Sequence, residues 1–129
     1  MSAQKPLTVL YALLHEAIPD ITIYKNAVID DKNNTPETFI QISETGNSPK
    51  VLGDGKILMR IAQCDILVVS KSKGANSSDA FNTLIEKIVE TLWDNDIHYE
   101  YNNLGYDLSS SLAQGVFSIN FEVVRAAYG

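Results

Sequence analysis

A single cysteine, Cys64, is all the thiol chemistry this sequence holds, so no disulfide can form within the chain. That usage fits a reducing compartment. No apolar run approaches the length needed to span a bilayer. Met1 to Pro6 leads into a helical pattern with polar breaks, where a signal peptide would have an uninterrupted apolar stretch. The sequons at Asn33 and Asn76 therefore read as chance. Bases are scarce in one region. Between residues 79 and 107 the acids Asp79, Glu86, Glu90, Asp94, Asp96, Glu100 and Asp107 face one base, Lys87. Seven minus one accounts for the whole formal net charge of −6. A surface of that sign disfavours tight phosphate binding, which needs clustered Lys and Arg.

What is present is globular composition, with 45% hydrophobic and 20% charged residues in 129. That length suits one soluble domain over 1–129. Leu7, Leu10, Tyr11, Leu14 and Ile18 follow the spacing of one helical face, with Pro6 in the first turn and Pro19-Asp20 as the stop. Ile21 to Tyr24 reads as a short strand. A polar connection at 30–37 separates it from an alternating strand at Thr38–Glu44. The turn-rich residues 45–56 read as a long, mobile hairpin arm. Ile57 to Ser70 is the longest extended run, and its length predicts a bulge or bend near Gln63–Asp65.

A second helix follows a cap at Asn76, Ser77 or Ser78. Its apolar face is Phe81, Leu84, Ile85, Ile88, Leu92 and Trp93, and Asn95 is the expected left-handed stop. Ile97, Tyr99 and Tyr101 alternate as a strand, and residues 102–114 read as a loop. Phe117, Ile119, Phe121 and Val123 alternate as the clearest half-buried strand. The fold class is therefore α+β, in the order α-β-β-β-α-β-β. It predicts a mostly antiparallel sheet of about five strands with two amphipathic helices on one face.

The chain holds no convincing catalytic constellation. Gly53-Asp54-Gly55-Lys56 lacks phosphate-loop spacing and reads as a hairpin turn. Asp31 to Pro36 fails as a calcium loop because Pro36 stands where a glycine is needed. His15, His98 and Cys64 are scattered over separate elements, and Cys64 reads as a buried, inert thiol. No metal-ligand spacing occurs. The expectation is a protein without catalytic residues, cofactor or metal. Its candidate assembly contacts are Lys50, Lys56, Lys71 and Lys73 against the acidic residues Asp94 and Asp96, with Tyr106 as an aromatic anchor.

In pattern and element order the chain resembles the tail terminator, or tail completion, proteins of long-tailed bacteriophages. The resemblance is carried by the helix Lys5–Ile18 running into Pro19-Asp20 and a short strand with Tyr24. It continues through Phe39 to Ile42, then the turn-rich arm and Cys64 to Ser70. The helix Ser78 to Trp93 and the strand Phe117 to Val123 complete it. The resemblance implies a structural protein of virion assembly that forms a homo-oligomeric ring, usually a hexamer. Such a ring caps the tail tube, meets the major tail tube protein and docks the head-completion or connector protein. DNA would pass through it without sequence recognition. The place implied is the virion, and the cytoplasm of the infected bacterium before assembly, with no membrane partner. The competing readings are a head-completion or minor capsid subunit, a ferredoxin-like dimeric ligand-binding regulatory domain, and a small hydrolase using Cys64 and His98.

Overall fold

The structure, a computed structural model, describes residues 5–26, 38–52, 56–71, 77–107 and 112–124. Helix α1 (Pro6–Ala17) begins with proline at its first position, where the missing N–H takes nothing from the helix. Leu10 and Leu14, four apart, are fully buried, and Ile18 continues their stripe past the last turn. Helix α2 (Ser77–Asp94) buries Phe81, Leu84, Ile85, Ile88 and Leu92 and turns Glu86, Lys87 and Glu90 outward. The end of α1 (Ala17 to Ile21) and the first half of α2 (Ala80, Thr83, Leu84, Lys87) line one shallow cleft, so the helices run antiparallel.

Five strands form one sheet: β1 (Thr22–Lys25), β2 (Thr38–Leu52), β3 (Lys56–Lys71), β4 (Tyr99–Asp107) and β5 (Leu112–Val124). Their spatial order is β1-β2-β3-β5-β4, which makes β1 and β4 the outer strands. Three of the four pairings are antiparallel, but β1 runs parallel to β2, so the sheet is mixed. The sequence pattern predicts a mostly antiparallel sheet, and this pair is its one parallel exception. The connection from residue 26 to 37 is about a dozen residues, long enough for the crossover that parallel strands need.

Both helices lie on one face of the sheet, as the pattern predicts. On that face Ile40 and Ile42 of β2, Cys64, Ile66 and Val68 of β3, and Phe117 and Ile119 of β5 form one core with α1 and α2. The register aligns these layers, pairing Ile42 with Ile66 and Ile66 with Phe117. The alternate residues point to the helix-free face. There Phe39 and Val69 are buried, and Tyr24 meets the edge of Phe39 at a centroid distance of 5.7 Å.

The irregularity expected in the longest strand falls on its partner. At that level the register shift lies between Glu44 and Gly46 of β2, opposite Cys64 and Gln63; a second shift, between Lys50 and Val51, leaves Leu58 as an extra residue in the 16-residue β3. The arm at 45–56 is a paired hairpin, because residues 46–52 ladder onto 56–63. Pro49 is tolerated there because β1 ends opposite Ile42, leaving one side of β2 unpaired beyond it. Its turn, residues 53–55, lies outside the described residues, as do Asn76 and the polar stretch 30–37.

Two further expectations are corrected. Residues 102–107 and 112–114 are strand, not loop. Their Asn- and Gly-rich composition reflects a bulge in which Leu104 is the extra residue and Gly105 has φ +89°. Asn103 Oδ1 accepts the Gly105 N–H at 2.8 Å within it. The left-handed residue ending α2 is Asp96, with φ +54°, and Asn95 is not that residue. The N–H of Ile97 donates to Leu92 O at 2.9 Å and that of Asp96 to Trp93 O at 3.1 Å, the paired bonds of a Schellman stop. Asn95 caps differently, its Nδ2 donating to Thr91 O at 2.8 Å.

Candidate assembly surfaces

The stop at Asp96 brings the end of α2 back beside the first residue of β4. Trp93, expected on the buried helix face, is instead 65% exposed. Its position follows Leu92 by one residue, about 100° round the helix, which rotates it out of the core stripe. The indole Nε1–H donates to the Tyr99 hydroxyl at 3.1 Å, and the Tyr99 ring meets Phe117 of the core edge-on at 5.4 Å. An exposed indole is thus held by a partly buried tyrosine. Exposed Asp94 and Asp96 follow it closely in sequence, so this outer corner of the sheet is acidic, while Glu100 lies on the helix-free face.

On the other side of the sheet a cleft of about 410 Å³ is lined by Lys5, Pro6, Leu7, Thr8, Lys25, Asn26, Glu44 and Arg60. Four distant segments build it: the start of α1, the end of β1, β2 past its last β1 partner, and β3. Three bases face one acid, and that acid, Glu44, pairs with Arg60 at 3.0 Å. Lys25 Nζ lies 4.7 Å from the centroid of the Tyr11 ring, which stacks on His15 at 5.5 Å. Pro6 is buried and Leu7 partly so, giving the cleft an apolar floor under a basic rim.

Sequence reasoning named other residues. Lys50, Lys56 and Lys71 are placed on β2 and β3 by backbone pairing, but their side chains lie outside the described residues. Lys73 lies outside them entirely. Tyr106, expected in a loop, belongs to β4 opposite Ala113, and its side chain is likewise not described. Asp94 and Asp96 are exposed beside Trp93. The cleft of Lys5, Lys25 and Arg60 was missed because no spacing along the chain links residues so far apart.

Cys64 is fully buried in the core. Burial, then the charges of Glu44 and Asp65, push its thiol up to about 11, against the opposing pull of Arg60. His98 is exposed and lines a shallow cleft with Gln63, Glu100, Ser118 and Asn120 on the helix-free side. The sheet therefore stands between that imidazole and the thiol. Asp65 on the helix-free face keeps a buried Oδ1 without a partner among the described residues. Among the described residues no group of three or more His, Cys, Asp or Glu is placed to hold a metal, and no helix is long and apolar enough to cross a membrane.

The sequence matches no protein-family model and no curated protein. Among solved structures, the fold is similar to the PVC sheath/tube terminator of an extracellular contractile injection system, seen by cryo-electron microscopy in its extended state. The TM-score is 0.49 and the identity 10%, over 95% of this chain and 58% of that one, so this chain spans less than two thirds of that protein's length. Function does not pass between proteins on a fold outline of this degree.

Proposed function

We propose that this chain is a structural subunit of a phage tail, a tail terminator that acts as a homo-oligomeric ring and not as an enzyme. In this reading the ring caps the tail tube, ends its growth and presents the surface that meets the head connector. The observation that carries it is the polarity of the subunit. Its two outer strands, β1 and β4, lie at opposite sides of the sheet, and the surfaces beside them differ in charge and shape.

A contact between two unlike surfaces is head to tail, and such a contact closes into a ring when its rotation allows. Outer strands also expose unpaired backbone groups that favour such neighbours. The element order, from the helix at Pro6 to the strand ending at Val124, is the one on which the resemblance to tail terminators rests. Six subunits is the number that resemblance implies, and the virion is the place. A buried thiol held in its protonated form, on the far side of the sheet from His98, gives no support to a hydrolase.

The test is electron microscopy of the purified chain mixed with tail tubes assembled without a terminator. Rings seated on tube ends, with tube length fixed once they bind, are expected. Tubes that keep lengthening with bare ends would overturn the reading.

A further inference from the structure

We infer that the ring contact is made by Trp93 and its acidic neighbours on one copy entering the basic cleft of the next copy. This rests on the proposed ring, and names the surfaces that close it. The two partners fit in chemistry. The cleft has an apolar floor of Pro6 and Leu7 with Lys5, Lys25 and Arg60 around it, and its volume of about 410 Å³ admits a large side chain. The opposite corner offers an aromatic ring followed directly in the chain by the exposed acids Asp94 and Asp96. An indole set among cations gains from the attraction of its ring face, and the carboxylates meet the lysine heads.

The geometry favours the same pairing. Trp93 already satisfies its one polar hydrogen by donating to Tyr99 at 3.1 Å, so burying it in a neighbour leaves no orphaned N–H. That bond also fixes the ring before contact, which reduces the ordering cost of binding. Because the helices run antiparallel, the start of α1 and the end of α2 lie at the same end of the sheet. The cleft opens on the β1 side, between the end of β1 and Arg60 on β3, and Trp93 stands beside β4 on the other side. Surfaces at one level on opposite sides place neighbours side by side in a plane, as a ring requires.

The contact is tested with two complementary variants of the full chain. Lys5→Glu with Lys25→Glu blocks the cleft and leaves the corner intact. Trp93→Ala with Asp94→Lys blocks the corner and leaves the cleft intact. Circular dichroism establishes that both fold, and Lys5→Glu alone replaces the first if the double variant does not. Each variant by itself is expected to stay monomeric under conditions where the wild type forms rings. An equal mixture is expected to give a discrete dimer by native mass spectrometry, since one good contact remains. Trp93→Ala alone is expected to raise the concentration needed for assembly about thirtyfold, the scale of a hot-spot loss. Rings formed by either variant alone, or no dimer in the mixture, would overturn this contact while leaving the ring itself standing. A wild type that stays monomeric even on tail tubes would instead remove the proposed function.

Discussion

The ring of Tyr101 lies across the backbone of Gly115, so that a methyl group added there would stand 2.8 Å from Tyr101 Cε1. Gly115 sits next to Val68 in the register, on the helix-covered face, and the absence of a side chain is what lets the tyrosine in. Tyr101 also tilts against Phe117 at a centroid distance of 4.7 Å, and its burial raises the phenol's pKa. Gly115→Ala is expected to cost about 1–3 kcal/mol, the scale of overpacking. Denaturant unfolding checks it. The cost should shrink in a Tyr101→Ala background, because the clash is then gone.

Ile88 of α2 and Leu14 of α1 are fully buried in the shared core. Ile88→Ala and Leu14→Ala are each expected to cost about 2–5 kcal/mol in unfolding free energy. Loss of the folded baseline at modest denaturant is the readout. An unchanged midpoint would mean the helix face is wrongly assigned.

Asp96 holds a left-handed conformation, φ +54°, at the end of α2. Glycine adopts that region without steric cost, so Asp96→Gly is expected to stabilise the fold by up to about 1 kcal/mol. The same change removes a carboxylate from the acidic corner, so assembly is expected to weaken while folding strengthens. Thermal unfolding of the monomer and the concentration dependence of oligomer mass separate the two effects.

The Cys64 thiol titrates near 11 in the fold against 9.0 for the free group. Its folded pKa is the higher, so its contribution to stability is fully present below pH 9.0 and is lost as pH rises toward 11. Tyr101, also raised, adds in the same direction at alkaline pH. Cys64→Ala is expected to flatten the alkaline fall in unfolding free energy without abolishing it. The folded wild type is expected to resist alkylation at neutral pH, since its thiol is buried and protonated.

Much of the fold was legible because burial writes periodicity into the chain. Leu10 and Leu14 mark α1, and Phe117 and Ile119 mark β5, through spacing alone. The direction of β1 was not legible, because a polar connection of a dozen residues permits a hairpin or a crossover. Nor was the strand in 102–107, where Asn103 and Gly105 serve a bulge and resemble turn chemistry. Trp93 shows the limit of helical periodicity at a stripe's border, where one residue step decides between core and solvent. The charge excess near the end of α2 was visible as composition. Its counterpart was not, because Lys5, Lys25 and Arg60 meet only through the pairing of β1, β2 and β3 and the packing of α1 on them.

Ring formation is tested most directly by native mass spectrometry of the full chain over a range of concentration and ionic strength. The account predicts one closed species, six subunits by the family resemblance, that gives way to monomer as salt rises, because exposed charges at the contact are screened. A chain that stays monomeric, or stops at a symmetric dimer, at every concentration and salt and also in the presence of tail tubes would contradict it.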